Sequence, residues 1–200
     1  MSDLATFVTL GFRHITNIAA MDHILFLLAL AAIYRPRDWR DSLWVVSAFT
    51  VGHSVTLGLA VTGALVLPSQ LIEFLIPVTI VATCGENLVV RDRPRALWGG
   101  RYRPAFAGVF GLVHGAGFAN YLRSLFVDQV ALPLFGFNLG IELGQVVVLG
   151  VAAGALVLLD HLLTLTAAGR TVGALRLRTV AVSAVVGLVA AHWAVERSPW

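Results

Sequence analysis

No lysine occurs anywhere in this chain, and its 14 basic residues are all arginines. Charge of either sign is scarce, at 12% of 200 residues. A basic pI near 9.7 would ordinarily raise nucleic acid as a partner, but the arginines lie between apolar runs and form no single patch, so no nucleic-acid binding is expected. Cys84 is the only cysteine, which excludes an intramolecular disulfide and leaves it as a small packing residue. Residues Met1 to Phe12 lack the basic start and small-residue cleavage site of a signal peptide, so insertion is expected to use the first helices themselves. There is no phosphate-cradling nucleotide motif either, so transport, if any, is passive or ion-coupled.

What the chain has in abundance is apolar surface: 58% hydrophobic residues and a mean hydropathy of +0.85. A soluble domain of this length cannot hide so much, whereas a bilayer serves as solvent for it. With about 20 apolar residues per crossing, six spans fit, near Ile15–Tyr34, Leu43–Leu67, Gln70–Val90, Ala105–Leu122, Leu132–Leu159 and Thr179–Val195. The reading is all-α: a single polytopic helical bundle over residues 1–200. Leu4–Phe12 is too short to span and is expected at the interface. Pro36, Pro68, Pro94, Pro104 and Pro133 fall in or beside the connections, and Pro77 predicts a kink in the third span.

Arginine placement orients the bundle. Arg35, Arg37, Arg40, Arg91, Arg93, Arg95, Arg101, Arg103, Arg170, Arg176 and Arg178 share one side, against Arg13, Arg123 and Arg197 on the other. The positive-inside rule puts the first group in the cytoplasm and both termini outside, in the inner (plasma) membrane. Adding or removing one span would destroy the bias.

Ionisable residues inside a membrane cost a few kcal/mol each on insertion scales and call for a use. Asp22 and His23 in the first span, His53 in the second, His114 in the fourth and Glu142 in the fifth are expected at similar depth. Asp22 and His23 cannot aim at one point, since helix neighbours differ by about 100°. In the fifth span, Asn138, Glu142 and Gln145 share one face and are expected to point inward. Gly136, Gly140 and Gly144 form a second stripe about 200° away. That stripe is suited to close helix packing, within the chain or in a homo-oligomer. His14 and Asn17 are candidates for an access relay, and Glu73 and Glu86 for a pathway or outer coordination role, with Arg91 an alternative partner for Glu86. Phe49-Thr-Val-Gly-His53 and Phe110-Gly-Leu-Val-His114 form a short internal echo of the kind repeats leave in transporters.

Imidazole with carboxylate suits a divalent transition metal such as Ni²⁺, Co²⁺ or Zn²⁺, where Ca²⁺ and Mg²⁺ prefer oxygen alone. Three uses remain open on residues alone: a permease, an intramembrane zinc hydrolase, or a membrane redox protein with His-ligated haem.

At these residues the sequence resembles the HupE/UreJ family of nickel/cobalt permease-like membrane proteins. The resembling stretches are His14-Ile with Asp22-His-Ile-Leu-Phe-Leu27, Phe49-Thr-Val-Gly-His-Ser-Val-Thr-Leu57, Leu67-Pro-Ser-Gln-Leu-Ile-Glu73, Glu86-Asn87, Phe110-Gly-Leu-Val-His-Gly-Ala-Gly-Phe118 and Phe137-Asn-Leu-Gly-Ile-Glu-Leu-Gly-Gln145. They cover Gly11 to about Gln145. The resemblance implies nickel or cobalt transport, with Asp22, His23, His53, His114 and Glu142 in the family's polar motifs.

Overall fold

The computed structural model describes residues 3–18, 21–90, 102–123 and 131–200. Among these, regular structure is helical and no strand occurs: α1 (Asp3–Thr16), α2 (Met21–Ala31), α3 (Trp39–Val61), α4 (Ser69–Val90), α5 (Arg103–Arg123), α6 (Ala131–Thr164) and α7 (Ala174–Glu196). A single 3₁₀ turn, Pro36–Asp38, leads into α3, and a π turn, Gly169–Gly173, leads into α7. Arg91, Arg93, Arg95 and Arg101, which entered the orientation argument, and Pro94, expected in a connection, lie outside the described residues.

Among the described residues, four stretches are long and apolar enough to cross a membrane: Pro36–Val61, Ser69–Val90, Ala131–Thr164 and Gly169–Glu196. The expected first span, Ile15–Tyr34, is instead two helices. Leu4–Thr16 and Met21–Ala31 meet at a 67° bend and together qualify as one broken span. Helix α1 stops where β-branched Ile15 and Thr16 meet Asn17, a residue that competes for backbone hydrogen bonds. The fourth expected span lies within α5. Helix α4 runs unbroken through Pro77.

Glycine decides how the helices pair. A Cβ on Gly140 would lie 2.0 Å from the carbonyl oxygen of Val8, and one on Gly11 would lie 2.0 Å from that of Phe137. Helix α1 therefore lies directly along α6, and Leu4–Phe12 is part of the bundle and not a separate interfacial segment. With Gly136 and Gly144 against α1 as well, this stripe is used within the chain. Helices α3 and α5 meet in the same manner: Gly52 against the carbonyl of Gly108 at 2.0 Å, Gly111 against that of Phe49 at 2.1 Å. Such contacts bring backbones close enough for Cα–H···O interactions.

The two interfaces share one register. Gly111 meets Phe49 O and His53 N as Gly11 meets Phe137 O and Ile141 N; Gly52 meets Gly108 O and Leu112 N as Gly140 meets Val8 O and Phe12 N. Gly11-Phe-Arg-His14 of α1 is thereby equivalent to Gly111-Leu-Val-His114 of α5, and Phe49 to Gly52 of α3 to Phe137 to Gly140 of α6. The echo noted in the sequence, α3 with α5, is a contact pair and not the equivalent pair. Helix α4 packs on α7, so every main pairing joins a helix before residue 91 to one after residue 102.

Two apolar clusters hold the interior. One contains Phe26, Phe49, Ile80, Cys84 and Val186; the other Ile15, Leu27, Leu57, Phe137 and Ile141. Large apolar side chains on the outer faces, among them Val146, Val151, Leu158, Val185 and Leu188, are exposed, as lipid-facing positions must be.

Candidate metal centre

Four histidines meet where the broken helix faces α3 and α5. His14 ends α1, His23 opens α2, and His53 and His114 sit mid-helix in α3 and α5. Ring centroids are 4.7 Å apart for His14 and His23, 6.0 Å for His23 and His53, and 5.1 Å for His23 and His114. One ligand nitrogen from each of His14, His23 and His53 falls within 4.8 Å of the others. His53 is 0% and His114 1% exposed. Nonetheless His14 Nε2, His23 Nε2, both ring nitrogens of His53 and His114 Nδ1 have no hydrogen-bond partner. Leaving one buried polar atom unsatisfied costs about 1–3 kcal/mol, and native proteins rarely do it. Here several such atoms lie together.

Aromatic rings wall the cluster. Phe118 lies 4.0 Å from the His14 ring and stacks on Phe137, while Phe26 and Phe49 lie 5.1 and 5.2 Å from His114.

Thr79 sets the form of His114. Its Oγ1 lies 2.7 Å from the carbonyl of Ile76 and 2.9 Å from His114 Nε2. The hydroxyl has one hydrogen, and the carbonyl can only accept. Thr79 therefore donates to Ile76 and accepts from Nε2–H, leaving a lone pair on Nδ1.

The carboxylates expected beside these rings are elsewhere. Asp22 turns to the end of α7, where Arg197 donates to it at 3.2 and 3.4 Å. Glu142 does not point inward. The glycine stripe of α6 faces α1, and Glu142, about 200° away, is exposed at the mouth of a recess of about 320 Å³ that also holds Thr50, Ser54 and Asn138. The polar face of α6 is divided: Gln145 is buried and accepts from Thr50 at 2.8 Å, and Asn138 is half-buried.

The family profile described as HupE / UreJ protein matches residues 1–197. The chain belongs to the HupE/UreJ family. No curated protein and no solved structure matches it. Family membership and the apolar helices together make this a membrane protein.

In this HupE/UreJ chain the remaining polar candidates separate by position. Glu73 is exposed near the start of α4, and Asn17 is exposed in the turn after α1. Glu86 meets Arg103 at 2.6 Å and accepts from Tyr102. Asn87, fully buried, accepts from Arg103 at 2.6 Å and donates to the carbonyl of Ala29 at 2.7 Å. Sequence reasoning gave His14 only a relay role and passed over Thr79. The signal was present as Thr79, Thr83 and Asn87, an i, i+4, i+8 stripe that proves buried along its length.

Proposed function

We propose that the protein is an inner-membrane permease for a divalent transition-metal ion, Ni²⁺ or Co²⁺ by family and Zn²⁺ by ligand chemistry alone. His14, His23 and His53 bind the ion as cargo, and His114 joins through Nδ1. The observation that carries this reading is the convergence of buried imidazole nitrogens with no other partner. Metal–imidazole bonds are about 2.0–2.1 Å, so each ring of the triad moves inward by less than about 1 Å to reach one ion. Neutral imidazoles without a carboxylate leave the charge of the ion uncancelled, which favours release over retention. Glu142, Asn138, Thr50 and Ser54 supply an oxygen-lined recess one face away from His53, suited to drawing a cation toward α3. Asp22 holds the start of α2 through Arg197 and so orients His23.

The matched registers support a six-crossing layout. In it α1 and α2 cross as one broken span, α5 crosses against α3, the arginine-rich loops are cytoplasmic and both termini are outside. A hydrolase would need a carboxylate beside the triad to activate water. Asp22 is engaged by Arg197 and Glu142 opens outward, which favours transport.

Uptake of Ni²⁺ and Co²⁺ into proteoliposomes tests the proposal. His23→Ala and His53→Ala are expected to abolish accumulation while eluting as the folded protein does. Undiminished uptake by both would overturn it, and a tightly held stoichiometric metal with no uptake would favour the hydrolase.

A further inference from the structure

A second cavity, of about 370 Å³, lies far from the histidines on the face of the arginine-rich loops. It opens between the corner joining α2 to α3 and the outer sides of α6 and α7. One end is polar, with Arg35, Arg178 and the rim residue Trp39; the rest is apolar, running along α6 from Val157 to Val146. That run is twelve residues, or roughly 16 Å of helix, about half the hydrocarbon core and hence one leaflet.

Arg178 is 1% exposed, an extreme position for a guanidinium. Nη1 is 2.5 Å from Asp160, and Nη2 donates to the carbonyls of Ala32 and Tyr34 at 3.2 and 2.7 Å. Nε has no partner. Arg35, exposed at the same end, is near enough to act electrostatically on Arg178. Arg178 is paired with Asp160, and Arg35 brings a second guanidinium to the same end of the cavity, where Asp38 accepts from the Arg35 backbone amide. A phosphate there would be attracted by both guanidiniums. Basic pockets between membrane helices recognise acidic headgroups in this way, and interfacial Trp marks headgroup depth.

We propose that this cavity binds an anionic phospholipid, its phosphate between Arg35 and Arg178 and one acyl chain along α6 beside Leu43 and Ala153. The lipid joins α7 to the α2–α3 corner, which Arg178 already bridges through the carbonyls of Ala32 and Tyr34.

The test is native mass spectrometry and thermal unfolding of the full chain in mild detergent, with phosphatidylglycerol, phosphatidylcholine or inorganic phosphate added separately. Phosphatidylglycerol is expected to be retained and to raise the unfolding midpoint, while phosphatidylcholine and phosphate do neither. Arg35→Gln, at an exposed position, is expected to lower phosphatidylglycerol retention about fivefold, the factor typical of one arginine at an anionic surface. Ala153→Trp is expected to lower it by filling the chain channel without altering charge. Equal retention of the two lipids, the same stabilisation by phosphate alone, or no effect of either substitution would each overturn the proposal.

Discussion

The rings of His14 and His23 stand 4.7 Å apart although they belong to different helices. On one straight helix, nine residues would separate them by roughly 13 Å along the axis. The 67° bend between α1 and α2 folds that distance away and presents both rings to His53. The rings converge because the helix is broken between α1 and α2, a use of irregular backbone that membranes permit where it lines a polar interior.

Thr79 is expected to matter without touching the ion. Thr79→Val keeps the shape but removes the acceptor for His114 Nε2–H, freeing the ring to change tautomer. Metal affinity should fall about 10- to 100-fold, the usual effect of losing an outer-shell partner. Thr79→Ser should restore it. Titration calorimetry measures the affinity, and nitrogen NMR of the imidazole reports the tautomer.

Among glycines, Gly140→Ala and Gly111→Ala should destabilise by about 1–3 kcal/mol through overpacking, since the new methyl would meet backbone oxygens at 2.0 and 2.1 Å. Gly150→Ala meets nothing within 4 Å and should be neutral or stabilising. Thermal unfolding in detergent separates the two classes.

The Glu86–Arg103 pair, at 2.6 Å with Arg103 4% exposed, ties α4 to α5. Glu86→Gln should weaken that tie and Arg103→Met should destabilise more, because Asn87 also loses its donor. A double-mutant cycle should show non-additivity in unfolding free energy. Additive losses would mean the two residues act separately.

At the same place, burial first and the hydrogen bond to Glu86 second push the Tyr102 hydroxyl up from 10 to about 12. The unfolded chain then releases this proton first as pH rises, so the folded state binds more protons and stability falls between about pH 10 and 12. Below pH 10 the contribution is fully present. Unfolding midpoints across this range should decline less steeply in Tyr102→Phe.

Much of this protein can be read from its residues alone. Hydropathy and the scarcity of charge determine a helical membrane protein, because no small soluble fold could cover such a surface. Asp22-His23 already implied that one of the two must face elsewhere, since neighbours on a helix diverge. Spacing also showed that Glu142 and the glycine stripe of α6 lie on opposite sides. Periodicity, however, gives angles within a helix and not its rotation relative to neighbours. Only the packing of α1 on Gly140 settled that the glycines face inward and Glu142 outward. Only the break after Thr16 brought His14 to His23, because a local loss of helix is cheap where tertiary contacts hold both halves. Which polar groups meet is therefore a property of the assembled bundle, set by close backbone contact between helices far apart in the chain.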